Sequence, residues 1–131
     1  MRIFKNKWFT RYARRENIDD ASICLAVARI NQNAVDANLG GGVIKQRLAR
    51  PGDGKSGGFR VIILFKVGDL AFFVYGFAKS ERGNIGADEF KASKQLAQAM
   101  LNFDSSAIAQ AITEGASLEV FCEEIQNEEA V

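Results

Sequence analysis

At 131 residues, with 47% hydrophobic and 25% charged side chains, the chain has the make-up of one soluble globular domain with a sizeable core. Its longest apolar runs, Val61 to Phe65 and Leu70 to Tyr75, fall far short of the roughly 20 residues of a membrane helix. The opening MRIFKNKWF has no apolar stretch before a cleavage site, so no signal peptide is expected either.

Arg2 to Phe4 reads as a short strand. From Asn6 to Glu16, Trp8, Phe9 and Tyr12 recur at helical spacing, with Lys7, Arg11, Arg14 and Arg15 elsewhere around the turn. Asp19 or Asp20 caps a second helix whose apolar stripe is Ile23, Cys24, Val27 and Ile30. Gly40, Gly41 and Gly42 then break the chain. Val43 to Arg50 alternates as a strand, with Ile44, Gln46 and Leu48 on one face and Val43, Lys45, Arg47 and Ala49 on the other. The turn from Pro51 to Gly58 is rich in residues that tolerate positive φ. Phe59 to Lys66 and Leu70 to Lys79 are nearly continuous apolar strands joined at Val67-Gly68-Asp69, and that continuity predicts cover on both faces. Helices follow from Asp88 to Leu101 and from Ser105 to Glu114, the second capped by Asp104 and stopped by Gly115. Leu118 to Cys122 is a last short strand, and the acidic tail from Glu123 to Val131 reads as frayed. With no repeat and no linker, residues 1–131 form one α+β domain.

The net charge of +1 conceals a split. Residues 1–60 carry 12 Lys/Arg against 5 Asp/Glu, and residues 61–131 carry 5 against 11. A basic half of this kind suits a polyanion partner, or is simply a solvated surface. The chain has no histidine, which excludes a Ser-His-Asp triad and a histidine-based ribonuclease. Cys24 and Cys122, the only thiols, lack metal-ligand spacing. They are read as unpaired, Cys24 as a buried structural residue, with a cytoplasmic location as the default and neither metal nor cofactor implied. Gly54-Lys55-Ser56 matches the end of a phosphate-binding loop, but the upstream glycine is absent and the segment leads into a strand rather than a helix.

What remains is a set of cations around one hairpin: Lys45, Arg47, Arg50, Lys55 and Arg60. Lys45 and Arg47, two apart on a strand, project from the same face roughly 6–7 Å apart, near the spacing of successive phosphates. Such a face can hold a phosphodiester and stabilise added negative charge on it. The alternative is that these are solvated positions on an open sheet face. Trp8, Phe9 and Phe59 fit packing better than base stacking, and Tyr75, in a row with Phe73 and Phe77, reads as a core tyrosine.

The order of these pieces resembles the RelE/HigB-like toxins of type II toxin–antitoxin systems, within the RelE/ParE superfamily. The likeness rests on Lys45-Gln46-Arg47, the turn Gly54-Lys55-Ser56-Gly57-Gly58-Phe59-Arg60, an aromatic strand ending in Phe77-Ala78-Lys79-Ser80-Glu81-Arg82, and the helix opened by Asp88-Glu89. The opening Phe4-Lys5-Asn6-Lys7-Trp8-Phe9 adds to it. The resemblance implies a microbial-ribonuclease-like fold, N-terminal helices packed on an antiparallel sheet with C-terminal helices. It also implies an mRNA endoribonuclease that needs no metal, acts with the ribosome and inhibits translation. Its partners would be a helix-turn-helix antitoxin, mRNA and the ribosome, with operator DNA reached only through the antitoxin. Matching positions assign Lys45, Arg47, Lys55 and Arg60 to catalysis and give Lys79 and Arg82 as candidates for RNA binding, to which the hairpin cluster adds Arg50. A lysine among other cations gives up its proton more readily and can act as base, while arginines stay charged and hold phosphate. Several relatives carry a tyrosine or histidine after this region, where this chain has Gly83-Asn84-Ile85-Gly86. A ParE-like inhibitor of DNA gyrase and a degenerate antitoxin-binding protein therefore stay open as alternatives.

Overall fold

The computed structural model describes residues 1–49 and 58–123. Within them the helices start where side chains accept backbone N–H groups. Strand β1 (Arg2–Asn6) ends at Asn6, whose side chain accepts from the Phe9 N–H and opens α1 (Lys7–Glu16). Asp19 does the same for α2 (Asp20–Asn31), and Asn17, at φ 59°, ends the helix before it. The glycine run is the turn of a hairpin, joining β2 (Ala37–Gly40) to β3 (Val43–Leu48) with positive φ at Gly40, Gly41 and Gly42. Then come β4 (Phe59–Lys66), β5 (Leu70–Ala78), α3 (Ala87–Met100), α4 (Ser105–Thr113, capped by Asp104) and β6 (Ser117–Val120).

The described strands form one sheet in the order β2-β3-β4-β5-β1-β6. All neighbours are antiparallel except β1 and β5, so the chain's first strand enters the sheet beside a strand formed some 70 residues later. Helices cover both faces, as the apolar continuity of β4 and β5 predicts. On one face, Phe9, Tyr12, Ile23, Val27 and Ile30 of α1 and α2 pack on Ile44, Leu48, Phe59, Val61, Ile63 and Phe73. On the other, Ala97 and Ile108 of α3 and α4 pack with Phe4, Val43, Ile62, Leu64 and Phe72. The architecture is α+β.

Between Ile62 and Ile63 the pairing of β4 with β5 shifts: Ile63 faces Phe73, Ile62 faces Tyr75, and Val74 is the extra residue of a β-bulge. Val74 and Tyr75 therefore both lie with the α3 side of the sheet. The expected row of Phe73, Tyr75 and Phe77 on one face does not form, and Tyr75 is half-buried rather than a core residue. Gly76, next on β5, faces α1, where a Cβ would come within 3.1 Å of the Tyr12 ring and 3.4 Å of the Phe9 ring.

Three further differences from the sequence reading have physical causes. Ala37–Gly40, an edge strand of four residues, is too short and too polar to show a period. Strand β3 ends at Leu48 rather than Arg50. The two cysteines, read as unpaired, form a Cys24–Cys122 disulfide. Pairing of β6 with β1 carries the chain beyond Val120 alongside α2, leaving the two Cα atoms 5.8 Å apart. A separation of 98 residues hides that proximity in the sequence. The Pro51 to Gly57 part of the expected turn, and the tail beyond Glu123, lie outside the described residues.

Closing a loop of 98 residues removes on the order of 4–5 kcal/mol of chain entropy from the unfolded state. A thiol reductant is therefore expected to lower the melting temperature, and Cys122→Ser should melt at the reduced protein's temperature with no further response to reductant. Differential scanning calorimetry of the four combinations measures this.

Candidate nucleic-acid site

At the end of the sheet where β3 leaves and β4 enters, the α3-side face is no longer apolar. Register explains how its side chains meet, because directly opposite residues of an antiparallel pair share a face. One row across β3, β4 and β5 is Lys45, Ile62 and Tyr75; the next is Arg47, Arg60 and Phe77. Three cations and two aromatic residues thus occupy two adjacent rows.

Arg47 and Arg60 face one another directly, which is unfavourable for like charges. Burial lowers the Arg60 pKa from its ordinary value, Arg47 lowers it further and Asp36 partly offsets both; the guanidinium stays charged. Asp36 also accepts the Arg47 backbone N–H at 2.7 Å and pairs with its guanidinium at 3.5 Å. Its position depends on a buried amide. The Gln46 Oε1 accepts the Asp36 N–H at 3.0 Å and its Nε2 donates to the Ala34 carbonyl at 2.9 Å, which anchors the segment before β2. The sequence reading placed Gln46 on the opposite face from Lys45 and Arg47, and this is where it lies.

The loop between β5 and α3 closes the other side. Lys45 Nζ donates to Asn84 Oδ1 at 3.2 Å. Arg82 Nε donates to the Asn84 carbonyl at 2.9 Å, and its two terminal nitrogens donate to Glu89 at 2.6 and 3.1 Å. The same Arg82 donates to the Tyr75 hydroxyl at 3.2 Å and lies 5.3 Å from the centre of the Phe77 ring. Glu89, at the third position of α3, also accepts the Gly86 N–H at 2.7 Å. The Trp8 ring packs on Tyr75, with centres 4.5 Å apart, and on Tyr12 at 5.0 Å.

The expected site residues therefore divide. Lys45, Arg47 and Arg60 converge. Lys79 is exposed just past β5, its N–H bonded to the Gly58 carbonyl. Arg82 is beside the cluster but engaged by Glu89. Lys55 and Arg50 lie outside the described residues. Of the aromatic residues, Phe9 and Phe59 are fully buried, as a packing role requires, while Trp8 is 36% exposed. Asp36, Asn84 and Glu89 were not anticipated. Only Glu89 carries a signal in the sequence, as an acid in the first turn of a helix. Among the described residues no group of three or more His, Cys, Asp or Glu could hold a metal ion, and no helix is long and apolar enough to cross a membrane. A cleft of about 860 Å³ between α2 and the β1–β6 edge lies away from these cations and is lined by Cys24, Leu25 and Phe121 among others.

Glu89 is held at about 2 instead of 4.5, first by the Arg82 hydrogen bonds and next by the Gly86 N–H. A carboxylate depressed in the folded state contributes stability that is full above pH 4.5 and is lost as pH falls through about 2. Melting curves across that window should show a smaller decline for Glu89→Gln than for the native protein. An identical decline would remove Glu89 from the acid response.

The family model described as the RelE toxin of the RelE / RelB toxin–antitoxin system matches residues 1–120. No curated protein matches the chain. The matched span takes in every described strand and helix, including both rows of the cationic face. The chain belongs to the RelE toxin family, toxins paired with a cognate antitoxin.

Proposed function

We propose that this toxin is an mRNA endoribonuclease that cuts the codon exposed in the ribosome and so inhibits translation. The observation that carries this reading is the convergence of Lys45, Arg47 and Arg60 on two adjacent cross-strand rows, at a spacing that suits successive phosphates of one RNA strand. In the reaction the 2′-hydroxyl loses its proton and attacks the neighbouring phosphorus, and the bond from phosphorus to the 5′-oxygen breaks. Arg47 and Arg60, charged at every relevant pH, hold the non-bridging oxygens and offset the extra negative charge of the transition state. In this reading Lys45, hydrogen-bonded to Asn84, takes the 2′-proton. No step in this scheme calls on a metal or a cofactor. Lys79, exposed just past β5, adds to the cationic surface that the RNA follows, and Arg50 and Lys55 belong to the same proposed RNA-handling set. The antitoxin, a helix-turn-helix protein in this reading, neutralises the toxin and brings it to operator DNA, and the site of action is the cytoplasm.

Induction of the chain in bacteria, followed by mapping of transcript 5′ ends, tests the activity. Cuts within translated codons are expected. Arrest without new 5′ ends, accompanied by DNA breaks, would instead support a gyrase-directed toxin. Arg60→Ala should abolish growth inhibition with little change in melting temperature, because the lost contacts are offset by removal of its repulsion with Arg47. Lys45→Ala and Arg47→Ala should each slow cleavage on the order of 10²-fold. A folded, fully toxic Arg60→Ala protein removes that guanidinium from the site.

A further inference from the structure

Resting on the ribonuclease reading, we propose that Tyr75 is the general acid of the reaction, giving its phenolic proton to the departing 5′-oxygen. Attack and departure take place on opposite sides of the phosphorus, so base and acid must flank the phosphate. The register supplies that arrangement. Lys45 on β3 and Tyr75 on β5 are the two ends of one cross-strand row, with Ile62 of β4 between them. Two strand spacings put their Cα atoms about 10 Å apart. Arg60 belongs to β4, two residues before Ile62, so a phosphate on its guanidinium lies between the two.

The bulge at Val74 places Tyr75 on this face; without it the ring would follow Phe73 to the α1 side. Trp8 packs against the ring, and Arg82 donates to the hydroxyl oxygen at 3.2 Å. A guanidinium there stabilises the phenolate that remains once the proton has left. Arg82 is itself fixed by Glu89 and the Asn84 carbonyl, which makes it a positioning residue rather than a phosphate ligand. Rotation about the Tyr75 C–O bond turns the phenolic proton toward the phosphate. Burial, then Glu89, raises the Tyr75 pKa, so at neutral pH the phenol holds the proton it must donate.

The step balances without an outside reactant. The 2′-oxygen gives its proton to the Lys45 amine and bonds to phosphorus. The electron pair of the breaking bond goes to the 5′-oxygen, which takes the Tyr75 proton. The products are a 2′,3′-cyclic phosphate and a 5′-hydroxyl, and proton exchange with water restores Lys45 and Tyr75.

The test compares a short RNA having an ordinary 5′-oxygen at the cut with one having sulfur there, each presented in programmed ribosomes. A thiolate leaves without a proton. Tyr75→Phe should therefore slow cutting of the ordinary RNA about 10²-fold or more and cut the sulfur-bridged RNA at the native rate. Equal losses on both substrates, or no loss on the ordinary one, overturn the assignment. If Tyr75→Phe does not fold, 3-fluorotyrosine at position 75 serves instead: its more acidic phenol should move the alkaline limb of the rate profile to lower pH, and an unmoved limb overturns the proposal. A native protein that cuts neither RNA refutes the ribonuclease reading itself, an outcome distinct from selective loss in the variant.

Discussion

Strand β5 holds one residue more than the stretch of β4 it pairs with, and most of what distinguishes this molecule's working face follows from where that residue falls. Before Val74, β5 alternates between two apolar cores; after it, the parity is reversed. The reversal takes Tyr75 and Phe77 to the rows that hold Lys45, Arg47 and Arg60, and it turns Gly76 toward α1. Because position 76 has no side chain, the Tyr12 and Phe9 rings reach the strand. A single irregularity thus sets both the polar chemistry on one face and the close approach of a helix on the other.

The cationic rows are costly as structure. Two arginines face each other across neighbouring strands, and one of them is partly withdrawn from water. Asp36 relieves part of the repulsion, and the fully buried Gln46 keeps Asp36 where it can do so. Glu89 provides the matching constraint on the other side by ordering Arg82, the loop before α3 and the start of that helix together. Cations on two adjacent rows, with Asp36 and Glu89 held to either side of them, suit the binding of an anion.

Much of this was legible in the residue order. Caps at Asp19 and Asp104, the helical spacing of Phe9 and Tyr12, and the alternation of Val43 to Leu48 are local signals, and the elements they predict are present. That alternation also separated Gln46 from Lys45 and Arg47. What stayed hidden depends on pairing between distant segments. A bulge is a mismatch between two strands, so Val74 carries no mark of it. The Asp36–Arg47 and Lys45–Asn84 contacts span 11 and 39 residues. The parallel partnership of β1 with β5, and the cysteine bridge it helps to bring about, exist only once the sheet is assembled.

That bridge has a consequence for the covalent architecture. Cys24 and Cys122 close a ring containing β2, β3, β4, β5, α3, α4 and β6, leaving outside it β1, α1 and the first residues of α2. Every residue of the two cationic rows lies within the ring, whereas Trp8 lies outside it. Hydrolysis of one peptide bond anywhere between the two cysteines therefore opens the ring without dividing the molecule. The nicked chain, heavier only by the water taken up, would travel as a single species until a thiol separated its halves, so its intact mass would report a cut without saying whether it lay between the segment bearing Lys45 and Arg47 and the segment bearing Tyr75.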